Sequence, residues 1–280
     1  MRDINVNEII GAVSKLCIDA NLELSEETVR CIADAKAEED GALAKEILSQ
    51  LQENMQIAKE DRIPICQDTG MAVFFVELGQ EVHITGGSLT DAINEGVRQG
   101  YTDGYLRKSV VGDPLIRENT KDNTPAIIHY DIVPGDKLKI TITPKGFGSE
   151  NMSRLIMLKP ADGIEGVRRE VIETARSAGP NACPPFVLGV GIGGDFELVA
   201  KLAKKALTRE PGSHNALPHI AELETELLNE INSLGIGPAG LGGKTTALAV
   251  NIETYPTHIA GLPLAINMCC HVDRHKTVEL

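Results

Sequence analysis

The chain has 280 residues, 42% hydrophobic and 24% charged, with 27 Lys and Arg against 40 Asp and Glu. This is an ordinary globular composition, long enough to bury a core without disulfide or metal staples, and it excludes disordered, collagenous and low-complexity classes. A net charge of −13, no Trp, and only four Tyr and five Phe disfavour nucleic acid and anionic membranes as partners.

No apolar run approaches the ~20 residues of a bilayer span. Met1-Arg2-Asp3-Ile4-Asn5 carries an early acid and no apolar leader, so the expected compartment is cytoplasmic. Residues 7–60 read as helical. Ile9, Ile10, Val13 and Leu16 recur at helical spacing and give one apolar face. Ser25 with Thr28 marks a helix start, and Glu26-Glu27 suits the positive end of its dipole. Leu43, Ile47, Leu51 and Met55 extend the pattern as far as Ile63-Pro64, where the residue before proline leaves the α region.

Beyond that break the texture changes. Residues 71–76 form a strand-type run, with 81–85 as a candidate partner, and 88–100 returns to helix. Residues 126–133 and 137–143 alternate at period two around Pro134-Gly135-Asp136, which predicts a hairpin. Helices are expected at 150–158, 164–178, 195–209 and 219–234, and strands at 186–190, 246–252 and 263–268. With no repeat and no linker, the expectation is one mixed α/β (α+β) domain over 1–280, with residues 1–60 as its helical N-terminal part.

Two glycine-rich segments invite nucleotide readings. Gly189–Gly194 fits G-x-G-x-x-G between a strand and a helix, but the ribose-reading acid ~20 residues on is missing, so a tight strand-to-helix turn is preferred. Gly242-Gly243-Lys244-Thr245-Thr246 resembles the end of a P-loop, but Pro238 stands where its first glycine belongs and an extended segment follows. Lys244 beside backbone amides remains a candidate for holding a carboxylate.

No C-x-x-C occurs among the six cysteines. Cys17 and Cys31 lie in helical stretches and read as packing thiols. Cys66, Cys183 and the Cys269-Cys270 pair each lie in a loop beside a strand end, where α/β proteins build sites. Three thiolates from distant loops suit an iron–sulfur cluster with one open iron. From spacing alone, three unrelated packing cysteines are the commoner explanation.

The segments acquire a joint meaning from their order: Pro64-Ile65-Cys66-Gln67-Asp68-Thr69-Gly70, Leu106-Arg107, Asn119-Thr120, Asn123-Thr124-Pro125-Ala126, Pro144-Lys145-Gly146-Phe147-Gly148-Ser149-Glu150-Asn151, Cys183-Pro184-Pro185, Gly242–Thr246, Thr257-His258-Ile259-Ala260, and Cys270 with Arg274-His275. Together they resemble the iron–sulfur hydro-lyase family of class I fumarases and L-tartrate dehydratases, and within it the separate α subunit of two-subunit enzymes.

The resemblance implies a [4Fe-4S] cluster held by Cys66, Cys183 and Cys270, the last chosen over Cys269 by its offsets from His258 and Arg274. It implies Asp68 and His258 as proton-transfer or orienting residues, and Gln67, Arg107, Gly148 and Lys244 as contacts to a small dicarboxylate. Outside the family, Asp68 would be a turn cap, His258 a half-buried structural histidine and Arg107 a surface arginine. Single-chain members carry a further C-terminal domain with more basic contacts, so a β subunit is expected here, in an α2β2 assembly. The far carboxylate of the substrate then lacks a cation in this chain unless Lys244 or Arg274 reaches it. The expected reaction is hydration of fumarate to L-malate. The alternatives are the α subunit of an L(+)-tartrate dehydratase and, in another class, a non-catalytic iron–sulfur or redox-sensing protein.

Overall fold

The computed structural model describes residues 1–280, which divide into two compact units, each assembled from separated stretches of chain. The first comprises Met1–Leu24, Ile57–Phe147 and Arg274–Leu280, and the second Ser25–Gln56 and Gly148–Asp273. No helix is long and apolar enough to cross a membrane.

In the first unit, strand β1 (Arg2–Asn5) leads into α1 (Val6–Leu22), whose start is capped by the Asn5 side chain accepting from the Asn7 amide at 2.9 Å. The expected apolar face is the one buried: Ile9, Val13, Leu16, Cys17 and Ala20. It packs against α4 (Leu89–Asp103) and against a mixed sheet of β2 (Met71–Gly79), β4 (Ile127–Val133), β5 (Leu138–Lys145) and β10 (Lys276–Glu279), in the order β10-β5-β2-β4. Phe74, Val76, Ile140 and Ile142 face this core.

Two expectations fail here. β4 and β5 do not form a hairpin, because β2 lies between them, parallel to β4 and antiparallel to β5. β2 is buried on both faces and so takes the interior of the sheet, whereas β4 exposes Ile127, Tyr130 and Ile132 and stands at an edge. The link from β4 to β5 arches over the end of β2. Its Val133, Gly135 and Lys137 carbonyls accept from the amides of Gln80, Glu81 and Gly79 at 2.8–2.9 Å. The second failure concerns β3 (Val82–Thr85), which pairs with β1 in parallel instead of with β2.

In the second unit, α2 (Glu26–Glu38) begins at Ser25, whose hydroxyl accepts from the Thr28 amide as expected. The unit boundary falls within α3 (Ala42–Asp61). The sheet of this unit runs β6-β9-β7-β8, from β6 (Arg154–Leu158), β7 (Phe186–Gly194), β8 (Ala247–Thr257) and β9 (Leu262–Cys269). Its alternating residues Leu188, Val190, Leu264 and Ile266 pack against α6 (Gly163–Ala178) and α8 (Pro218–Asn232). The opposite face receives α7 (Phe196–Ala206), started by the Asp195 cap.

Residues 154–158 form an edge strand, not the expected helix. Leu155 and Ile156 fit either period, and a run this short is decided by its partner β9. The glycines at 189–194 also do more than turn the chain. β7 continues through Gly194, and a Cβ on Gly189 or Gly191 would stand 2.1 or 2.3 Å from the Ala203 or Val199 carbonyl oxygen of α7. They let a helix lie directly on the strand, and because the whole run stays within β7 it does not form the glycine-rich turn that a pyrophosphate needs.

Candidate active site

The candidate residues fall in both units: Cys66, Gln67, Asp68 and Arg107 in the first, and Gly148, Cys183, Lys244, His258 and Cys270 in the second.

In the first unit, the 66–70 turn connects α3 to β2. Its entry is tied down by the buried Ile65, whose amide donates to the Asn21 carbonyl at 3.0 Å. Cys66 and Asp68 are half-buried and Gln67 is exposed. Asp68 Oδ1 accepts from the Gly70 amide at 3.0 Å, and Oδ2 from the Phe147 amide at 2.9 Å. The carboxylate is therefore fixed through both oxygens, as the turn-cap reading requires. Each oxygen keeps a second lone pair. Gly146 makes room for it, since a Cβ there would stand 3.0 Å from Oδ2.

Three consecutive carbonyls of the turn are held by donors from elsewhere in the unit. Arg274 Nη2 donates to the Asp68 carbonyl at 2.5 Å. The buried Tyr101 hydroxyl donates to the Thr69 and Gly70 carbonyls at 2.9 and 3.1 Å, and burial raises this phenol well above its ordinary range, so it stays a donor. Asn123 Nδ2 reaches the Gly70 carbonyl at 3.2 Å. Arg107 joins the same turn through its backbone. Its amide donates to Thr69 Oγ1 at 2.9 Å, and its carbonyl accepts from that hydroxyl at 3.3 Å, while the residue itself is exposed. Cys66, Gln67, Asp68 and Arg107 thus form one group. Asn123 and Arg274 stand in two of the ordered motif segments, but nothing local marks them as supports of this turn, and Tyr101 carries no signature at all.

In the second unit, Cys183 is exposed and holds a left-handed backbone with φ 52°, uncommon for a residue with a side chain. Its carbonyl accepts from the His271 amide at 3.3 Å, and His271 Nδ1 lies 3.1 Å from the same oxygen. That joins the Cys183 segment to the segment that follows β9. Cys269, the last residue of β9, is buried, and Cys270 beside it is half-buried. The strand end is held by Ser153, which accepts from the Met268 amide at 3.0 Å, and by Asn267, which donates to Glu150 Oε2 at 2.8 Å. Glu150 in turn pairs with Lys204.

His258 is exposed in the turn after β8, and its Nδ1 accepts from the Ala260 amide at 3.1 Å. A ring nitrogen that accepts must carry a lone pair, so neutral His258 bears its proton on Nε2. Gly148 is exposed, with open space where a Cβ would be. Lys244 is engaged by the end of α2. Its Nζ contacts Asp40 Oδ2 at 2.5 Å and the Glu38 carbonyl at 2.9 Å, and the Asp40 carboxylate raises it above its ordinary range. Its amide donates to Glu39 Oε2 at 2.7 Å. The P-loop-like glycines therefore serve a loop docked on an acidic corner.

None of the six cysteines forms a disulfide. Burial pushes the Cys17 and Cys31 thiols up, as suits packing residues. Cys66, Cys183 and Cys270 are the accessible or half-buried ones at loop positions. No three His, Cys, Asp or Glu side chains converge as ligands of a single metal ion. A cluster binds each thiolate through a different iron, so its ligands stand further apart than those of one ion. The donor set of three loop thiols fits such a group by its chemistry.

A family model described as "Fumarate hydratase (Fumerase)" matches residues 10–279. The chain is 43% identical to a Methanocaldococcus jannaschii protein provisionally named L(+)-tartrate dehydratase subunit alpha, over 98% of each chain. It is 32% identical to the L(+)-tartrate dehydratase subunit alpha of Escherichia coli K12, over 98% of this chain and 91% of that one, and equally to that of Shigella sonnei.

Proposed function

Because the chain belongs to the fumarate hydratase family, whose chemistry is the addition or removal of water, we propose that it is the α subunit of a hydro-lyase that converts fumarate to L-malate reversibly, together with a β subunit. The observation that carries this reading is the group on the 66–70 turn: a carboxylate fixed by two amides, two residues from a half-buried thiol and tied through Thr69 to an exposed arginine.

Cys66, Cys183 and Cys270 would hold a [4Fe-4S] cluster, which when bound supplies a Lewis acid that polarises the substrate's hydroxyl and carboxylate oxygens. Asp68 gives or takes the proton at the substrate's hydroxyl oxygen, using a lone pair that its two amide bonds leave free. Arg107 offers a planar fork to one carboxylate, and the exposed Gln67 amide donates beside it. His258 presents an Nε2–H and acts as an orienting donor while neutral. Neither cation considered for the far carboxylate is available: Lys244 is paired with Asp40, and Arg274 is occupied by two carbonyls. This supports assigning that carboxylate to the β subunit.

A second reading keeps the chemistry and changes the substrate to L(+)-tartrate, favoured by the names of the relatives. The test is anaerobic assay of the chain, alone and with its partner, on fumarate, L-malate and L(+)-tartrate. The pair is expected to hydrate fumarate and to hold about four iron and four sulfide per chain. Serine at Cys66, Cys183 or Cys270 should abolish the iron, and serine at Cys17 should not. Turnover of tartrate alone transfers the assignment to the second reading. Full activity of the chain without a partner removes the two-subunit proposal.

A further inference from the structure

Arg274 is 3% exposed and enters no ion pair. Its Nε donates to the Pro144 carbonyl at 3.2 Å and its Nη2 to the Asp68 carbonyl at 2.5 Å, while Nη1 is buried without a partner. The guanidinium therefore bridges two chain segments. One carries the Asp68 carboxylate. The other runs through Gly146, which makes room for that carboxylate, to Phe147, whose amide binds it.

Burying a charge is costly unless it is paired. Two carbonyl dipoles only partly balance this one. A neutral donor would tie one carbonyl at lower cost, but only a planar fork spans both. Because Nη1 is closed to solvent, Arg274 does not offer a hydrogen bond to a substrate carboxylate, the role left open for it by the sequence.

We propose that Arg274 is a positioning residue for Asp68: by joining the Asp68 and Pro144 carbonyls it sets the distance between the carboxylate and the amides that aim it. The inference rests on Asp68 as the proton-transfer group, and the test separates the two. Arg274→Gln and Arg274→Lys are made in the chain and studied with the partner subunit. Readouts are kcat and KM on whichever acid the wild-type pair turns over, iron content, and hydrogen exchange at the Gly70 and Phe147 amides.

The expected result for Arg274→Gln is a kcat lower by about 10²-fold, the effect of a catalytic group misplaced by ~1 Å. KM and iron content should stay near wild type, and both amides should exchange faster. Arg274→Lys keeps the charge but cannot span both carbonyls, so it should recover part of kcat; it also serves if the glutamine variant does not fold. A raised KM with unchanged kcat would make Arg274 a substrate contact and overturn the proposal. So would lower thermal stability with unchanged kcat per loaded site and unchanged exchange. If the wild-type pair acts on none of the acids, the functional reading fails, and exchange at Gly70 and Phe147 alone decides whether the clamp exists.

Discussion

Asp68 receives a backbone N–H on each carboxylate oxygen, and an asparagine has only one acceptor oxygen to offer. In Asp68→Asn either the Gly70 or the Phe147 amide loses its partner, a local loss of about 1–3 kcal/mol. The variant also cannot move a proton. Its kcat should fall by ~10²–10⁴, the range for a lost general acid or base, with iron retained. Steady-state kinetics and iron analysis check this, and wild-type turnover would remove Asp68 from the mechanism. Both meanings of Asp68 are legible in Cys66-Gln67-Asp68-Thr69-Gly70, because turn caps and acids use the same residue. The support that Tyr101, Asn123 and Arg274 give it is not, since only the fold brings α4, the 104–126 loop and the residues after Asp273 to one turn. Glu39 is similar. As one of three consecutive acids it looks like a solvated helix end, yet it is buried. Burial alone would raise it, but amides of Gly41, Lys244 and Asp40 outweigh that and hold it below its ordinary range. A depressed carboxylate stabilises the fold above its unfolded value, ~4.3, and that contribution is lost as pH falls through the folded value. The stability difference between wild type and Glu39→Gln should therefore be constant from neutrality to about pH 5 and shrink below about pH 4. A difference that grows in acid would contradict the assignment.

At the scale of elements, the contact of α7 with β7 leaves no room for a methyl group. Gly191→Ala would set a Cβ 2.3 Å from the Val199 carbonyl oxygen, backbone that cannot swing aside. The expected loss is roughly 1–3 kcal/mol, as for overpacked cores, read from the denaturation midpoint. An unchanged midpoint would mean that helix and strand are not held at this distance. The sheet of the first unit shows what periodicity cannot tell. The alternation in β4 and β5 correctly identifies two strands, but period two names a face and not a neighbour. The neighbour is decided by β2, whose burial on both faces demands the interior. Residues 150–158 fail for a related reason: over five residues an edge strand and a helix turn present nearly the same apolar spacing, and the partner β9 lies a hundred residues away.

The molecule as a whole crosses between its two units four times, at Leu24, Gln56, Phe147 and Asp273. No linker marks these crossings, and two of them fall within helical segments, α3 and the short α5 (Phe147–Glu150). The division is invisible to composition for that reason, whereas the mixed α/β class and the helical N-terminal part are plain from the pattern. The family likewise depended on motif order across the whole chain, because no single motif is specific.

One edge of the first sheet is supplied by β10, which follows all its other strands in the chain. β10 pairs with β5, and the Leu280 and Leu138 backbones exchange hydrogen bonds at 2.8 and 3.0 Å. Protein synthesis is vectorial, so the helices and strands of the first unit that are made first wait for residues 274–280. Until Arg274–Leu280 emerge, the 66–70 turn lacks its guanidinium and β5 has an open edge, the kind that invites pairing with other chains. Residues 148–273 need no such late arrival within their own sheet. Chains truncated after Asp273 should accordingly show proteolytic cleavage in 57–147 while 148–273 resists, and restoring residues 274–280 should end that vulnerability. Equal resistance before and after would mean that the early-made part matures without its closing strand.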